Sequence, residues 1–314
     1  MKVLIDTDPG MDDALAIALA HKSADLTIVG ITAVTGNLTS DRTVANVLRV
    51  LDLLGAEDLP VAQGPLLPLG GAYPSDPFSH GPDGLAGSDL PASSRVIDAR
   101  SAGELIVDLV NEHNGEIALC ALGPLTNIAE AMRLDPDLPS KVSRLTIIGG
   151  SFGATPYAWT QATGDNPTSE WNVFVDPEAA KLVFHGGFPL TAIGLDVATH
   201  PAINFRDEDL ARLRASDQAE AELAVRVVEF VQGRGYQSYC SLIDSTAVAT
   251  LIDPALVTTE TVLCDVETEG RLTRGMTVVD RRRHHEWQDL PRIDIAVDFD
   301  HARFLDLVTT ELTR

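Results

Sequence analysis

The chain has 314 residues, 45% of them hydrophobic, with 23 Lys and Arg against 46 Asp and Glu for a net charge of −23. That length and apolar content suffice for a large α/β core, while the negative balance opposes a phosphate backbone and excludes nucleic acid as an expected partner. Cys120, Cys240 and Cys264 are too few for a disulfide framework, no apolar run reaches the roughly 18–20 residues of a membrane span, and the chain opens directly on strand-like sequence, so a cytoplasmic protein with reduced thiols and no membrane association is expected.

In chain order, Lys2-Val3-Leu4-Ile5 reads as a buried parallel strand closed by the turn dipeptide Pro9-Gly10. Leu15, Ala18 and Leu19 then fall at i, i+3 and i+4, predicting a helix with one buried face from near Met11. A strand over 27–34 precedes a helix over 44–54, a strand over 117–122 a helix over 125–132, and a strand over 145–148 the helix over 177–184. A strand over 190–195, helices near 220–231 and 245–251, a peripheral β ribbon over 257–264 and 276–279, and a closing helix over 304–312 complete the pattern. Alternating strands and helices predict an α/β fold: a Rossmann-like open, mostly parallel sheet with helices on both faces. With no internal repeat or low-complexity linker, residues 1–314 read as a single domain. Two long loops, over 64–94 and 149–172, interrupt the alternation, and loops of that length inside a compact domain are usually functional. The basic island RRRHHE over 281–286 reads as a solvated turn.

The first turn carries Asp6, Asp8, Asp12 and Asp13 within eight positions. Asp8 falls at the carboxyl end of a strand and Asp12 and Asp13 in the first turn of a helix, where open α/β sheets bind ligands. Such acids repel one another unless a positive charge sits among them. N-capping with a solvated loop leaves Asp8 idle. A phosphatase of the haloacid-dehalogenase type, with Asp6 of Asp6-Thr7-Asp8 as nucleophile, leaves the helix-start pair unexplained. A Ca²⁺ site, which collects six to eight oxygens at roughly 2.3–2.6 Å, uses the carboxylates of both elements and is favoured.

Further polar residues follow later strands: Asn37 in AVTGN, Asn127 in GPLTN, Glu170 and Asn172 in SEWN, and Asp244 in SLIDSTAVA. Here the chain resembles the inosine–uridine-preferring nucleoside hydrolase family over its whole length. DTDPGMDDALA matches the family signature, and GN, GPLTN, SEWNVFVDPEAA and RGMTVVD recur in the same order. The resemblance implies a Rossmann-like sheet with Ca²⁺ at its carboxyl edge, a ribonucleoside substrate, and a homodimer or homotetramer. It implies that Asp8, Asp13 and Asp244 bind calcium through carboxylates and Leu122 through its backbone carbonyl. Asp12, Asn37, Glu170 and Asn172 are then expected to hold ribose hydroxyls, and Asp6 to orient the turn from behind.

N-glycosidic hydrolysis passes through an oxocarbenium-like sugar. The resemblance assigns to calcium the activation of a water and to Asp8 the removal of its proton. Many family members carry His immediately before the last calcium Asp, where this chain has Ile243. The Asn expected six residues before Glu170 is Gly164, with Asn166 or Asp165 as its stand-in. His80 in FSHGPDGL is a candidate acid for the departing base; Trp159, Tyr236 or Tyr239 stacking on the base is the alternative route. The expected activity is Ca²⁺-dependent hydrolysis of ribonucleosides to ribose and free purine or pyrimidine. A calcium-dependent nucleoside- or ribose-binding protein with little turnover is the rival that Ile243 favours.

Overall fold

The structure is a computed structural model describing residues 1–314 apart from 57, 77, 162, 285 and 286. Its strands are β1 (Lys2–Thr7), β2 (Thr27–Ala33), β3 (Val61–Gln63), β4 (Ile117–Ala121), β5 (Arg144–Ile148), β6 (Leu190–Ile193), β7 (Val257–Val266), β8 (Thr277–Val279) and β9 (Arg292–Phe299). In β1, Val3 and Ile5 join the apolar core on one face while Leu4 joins the core on the other, as the two-residue period requires. Burial on both faces is what a continuous apolar run signals, and the strands from β3 to β9 pair in parallel in the order β3-β2-β1-β4-β5-β6-β9. The expected α/β architecture is present.

Strand order reverses between β1 and β4, because the chain builds outward through β2 and β3 and then returns to the other side of β1. Such a switch point opens a crevice outside the carboxyl ends of the two strands, and Asp8 lies one residue past the end of β1.

The structure differs from the sequence reading in four places. The helix Met11–Lys22 buries all ten residues from Met11 to Ala20 rather than one face. It packs on β2 and on the helices Ala219–Gly233, Ile243–Ile252 and His301–Thr313, so no side faces water. The ribbon of β7 and β8 is antiparallel, yet β7 also pairs antiparallel with β9 and so extends the main sheet. Strand β9 itself went unassigned: Asp294 and Asp298 interrupt its apolar residues and hide its period. The strand expected over 190–195 ends at Ile193, and Leu195–Ala198 forms a helical turn.

Arg281, Arg282, Arg283 and His284 of the basic island are exposed, while residues 285 and 286 lie outside the described residues. Among the described residues no helix is long and apolar enough to cross a membrane. Cys120 and Cys264 are buried free thiols, and Cys240 is half-buried.

Candidate active site and metal centre

Two helices start at the same point. Asp12 and Asp13 occupy the first turn of Met11–Lys22, and Asp244 the first turn of Ile243–Ile252. The helices pack on each other, and carboxylate oxygens of the three acids lie within 4.8 Å of one another. At an effective dielectric of about 20, two charges that close repel by on the order of 3 kcal/mol, and three such pairs rival the whole stability of a domain. The positive ends of both helix dipoles offset only part of that. The rest must be relieved by protons or by a cation.

Burial and mutual repulsion act together on these carboxyls. Burial, then the neighbouring Asp13, raise the Asp8 carboxyl well above its ordinary value. Burial followed by Asp12, Asp13 and Asp8 does the same to Asp244. Asp12 is pushed up to about 6, by burial first, with His80 opposing and Asp13 adding to the rise. Asp12 Oδ1 is buried and has no hydrogen-bond partner. An all-oxygen donor set, mutual repulsion and an orphaned carboxylate oxygen fit a hard divalent cation.

The acids are held by backbone N–H groups and two side chains. Asp13 accepts from Thr7 Oγ1 at 2.5 Å, Gly10 N at 2.8 Å, and Asp8 N and Asn37 Nδ2 at 3.3 Å. Asp8 Oδ2 accepts from Asn37 N at 2.6 Å. Its carboxylate sits between two glycines: a Cβ on Gly36 would lie 2.0 Å from Oδ2, and one on Gly123 2.5 Å from Oδ1. The glycines of the GN and GPLTN stretches thus have a physical reason, which the sequence reading did not reach. The visible signal was their place immediately beyond strand ends.

A cavity of about 310 Å³ opens above these acids, lined among others by Asp8, Asp12, Asn37, His80, Leu122, Glu170, Asn172, Tyr236, Tyr239 and Asp244. Asp13 lies behind them, fully buried. Asn172 donates both amide hydrogens, to Leu122 O at 2.8 Å and Ile148 O at 3.1 Å, so only its Oδ1 is available to a ligand. Glu170 caps the helix Trp171–Val175 and accepts from the backbone of Asn172, Val173 and Gly150 at 2.8–3.1 Å. Burial nevertheless raises it to about 7. His80 Nδ1 accepts from Met11 N at 3.3 Å and stands 3.5 Å from Asp12 Oδ1. Tyr239 donates its hydroxyl to Gln161 Oε1 at 2.8 Å, inside the cavity.

Other residues named from the sequence lie elsewhere. Asp6 has no exposure; Thr32 Oγ1 and Asn127 Nδ2 donate to its Oδ1 at 2.6 and 2.7 Å. A carboxylate enclosed in this way cannot meet a phosphate ester, which removes the phosphatase reading and explains Asn127. Asn166 does not line the cavity: it donates to Arg274 O at 2.8 Å and accepts from the backbone N and hydroxyl of Thr168 and the hydroxyl of Ser169. Asp165, its alternative, is also absent from the lining, and so is the exposed Trp159, whose ring covers Gly153. The local order of the sequence suited these residues to the site, but the loop turns their side chains outward. Two buried acids that were not singled out anchor the long loops. Asp196 accepts from Phe152 N, Ala154 N and Thr155 N, and Asp176 from Leu69 N and Thr126 Oγ1.

The family model described as inosine-uridine preferring nucleoside hydrolase matches residues 3–306. Among curated relatives, the pyrimidine-specific ribonucleoside hydrolase RihA of Citrobacter koseri is 37% identical over 318 residues, covering 99% of this chain and 98% of its own. The protein of the same name from Shewanella woodyi is also 37% identical, with 99% and 97% covered. Among solved structures, the plant nucleoside hydrolase PpNRh1 superposes with a TM-score of 0.88 at 32% identity, over 99% of this chain and 98% of that one. A purine-preferring ribonucleoside hydrolase from Gardnerella vaginalis gives 0.85 at 28% identity, over 100% and 98%.

Proposed function

The chain belongs to the inosine–uridine preferring nucleoside hydrolase family, whose relatives are ribonucleoside hydrolases, and from that premise we propose a Ca²⁺-dependent N-ribosylhydrolase in which one domain over 1–314 carries the whole site. The observation that supports it best is the cluster of Asp12, Asp13 and Asp244 within 4.8 Å beneath a cavity walled by Asn37, Asn172, Glu170 and His80. Asp8, Asp13, Asp244 and the carbonyl of Leu122 are the proposed protein ligands, and Asp12 is proposed to hold ribose hydroxyls, a role its closeness to Asp13 and Asp244 supports. A calcium ion there supplies the positive charge that makes a water more acidic and fixes vicinal hydroxyls.

The chain's own groups do the rest. Asn37, Glu170 and Asn172 bind the ribose, with Asn172 restricted to accepting. The C1′–N bond breaks with its electron pair moving to the base. The water oxygen bonds to C1′, its proton passes to Asp8, and His80 delivers a proton to the base, so one water is consumed and the proton count closes. To deliver that proton His80 reacts as the imidazolium, whose Nδ1–H faces Asp12 Oδ1 at 3.5 Å, and is left as neutral imidazole.

We assign pyrimidine ribonucleosides as the first substrates to test, because the curated relatives carry that specificity in their names. The resemblance also supports a cytoplasmic homodimer or homotetramer, which light scattering of the purified protein checks. The decisive assay incubates the protein with uridine, cytidine and inosine, with and without a chelator, and measures reducing sugar. Ribose release that stops with chelator and returns with calcium is expected. Calcium-dependent nucleoside binding without ribose release would establish the binding-protein rival instead.

A further inference from the structure

His80 lies on a stretch without regular structure, between β3 and the helix Ala102–Glu112. A proton donor there needs a fixed direction, and the local hydrogen bonds supply part of it. Asp76 accepts from the backbone N of Phe78 and Ser79 and from the Ser79 hydroxyl, while Ala86 N donates to His80 O at 2.9 Å. These bonds shape the loop but do not tie it to the body of the protein.

Arginines make that tie. Arg234, which caps the carboxyl end of Ala219–Gly233, donates Nη1 to Phe78 O and to Ser79 O, the latter at 3.1 Å. Those are the two carbonyls immediately before His80. The guanidinium also stacks on Phe230, 5.2 Å from the ring centre, one helical turn back. The Phe230 ring stands 3.2 Å from the position of a Cβ on Gly81, the residue immediately after His80, which has φ +81°. One arginine–aromatic pair on a single helix end therefore grips the chain on both sides of His80. Farther along the loop, Arg42 donates to Pro82 O at 2.8 Å and Arg226 to Ser88 O at 2.7 Å. Arg234 itself is exposed and does not line the cavity.

We propose that Arg234 is a positioning residue for protonation of the leaving base, acting through His80 by fixing the two carbonyls that precede it. The proposal rests on His80 being that acid. A planar guanidinium can hold two adjacent carbonyls where an ammonium acts as a point charge. A misplacement of about 1 Å at a reacting group costs roughly a hundredfold in rate.

The test compares uridine, which needs protonation of its base, with p-nitrophenyl riboside, whose phenolate leaves without an acid. Arg234→Ala is expected to lower kcat on uridine by roughly 10- to 100-fold with little change in KM, and to leave the nitrophenyl substrate within about threefold, which also reports an intact fold and ion site. Arg234→Lys should recover part of the uridine rate. His80→Ala should give the same selectivity, and the double variant should be no slower than His80→Ala alone. Equal loss on both substrates in Arg234→Ala, or no loss on uridine while His80→Ala is selective, overturns the role of Arg234. If His80→Ala is itself unselective, the reading of His80 as the acid fails and the role of Arg234 fails with it.

Discussion

On the cavity floor, Asp13 takes hydrogen bonds from Gly10 N, Asp8 N, Thr7 and Asn37, and Asp8 is walled by Gly36 and Gly123. Every one of those groups lies on a strand end, a helix start or the turn between them. At the rim, His80 sits on a loop held by side chains reaching to carbonyls, Tyr236 follows a helix end through its N–H to Val231 O at 3.0 Å, and Phe78, Trp159 and Tyr236 are exposed. The floor is thus fixed by the same backbone that makes the sheet, whereas the rim depends on a few replaceable contacts. On the proposed reading, the ion and the ribose common to every ribonucleoside meet the rigid part, and the variable base meets the adjustable one.

The largest effect should come from the sugar. A site built to hydrogen-bond a hydroxyl rejects the analogue lacking it by on the order of 10⁴ in kcat/KM, so 2′-deoxyuridine should be turned over far more slowly than uridine. Comparable rates would mean that Asn37, Glu170 and Asn172 do not grip the ribose. Next, Asp13→Asn removes a charge from the floor while keeping its shape. Calcium affinity measured by titration calorimetry and hydrolysis of uridine should fall together, the rate by roughly a thousandfold, as expected when several kcal/mol of charge stabilisation is lost. Full activity in the presence of chelator would remove the ion from the scheme.

Gly36→Ala probes the floor's rigidity without replacing a proposed ligand. The new methyl meets Asp8 Oδ2, so calcium affinity should drop roughly 10- to 100-fold, and overpacking should lower stability by about 1–3 kcal/mol. An unchanged variant would show that the floor yields as the rim does.

Acidity separates the two regions more gently. Asp6 and Glu170 are raised to about 7 and Asp12 to about 6, in each case by burial first. Their native carboxyls hold protons more tightly than the unfolded chain, whose carboxyls titrate near 4. Stability of the calcium-free protein should therefore rise as pH falls from about 7 towards about 4, by a few degrees in Tm. Asp98, held near 2 by Arg100, acts in the opposite sense, but only towards the acid end of that window. Calcium should stabilise most at the alkaline end, where the floor is ionised. A Tm of the calcium-free protein that falls on acidification through this range would contradict the assignment. The smallest effect belongs to Trp159→Ala at the rim: with its ring outside the cavity, uridine kcat/KM should stay within about threefold. A larger loss would show the loop folding over the substrate.

The sequence alone determined the alternation that makes a parallel sheet, because apolar runs and helical spacing are local and repeat along the chain. It also determined the acidic turn after β1, because carboxylates crowded into eight residues repel one another and need relief by protons or a counter-charge once buried. The tertiary structure decided the rest. That Asp244 meets Asp12 and Asp13 depends on one helix packing against another more than 200 residues away in sequence. That Asn166 faces Arg274 and Trp159 faces Gly153, away from the cavity, depends on how one loop turns. That β9 completes the sheet depends on a vacancy between β6 and β7 that no local pattern announces. Composition and spacing fix what a segment needs, either an apolar face or a counter-charge. Only packing fixes which distant segment supplies it, because long-range contacts are chosen by shape and burial over the whole chain.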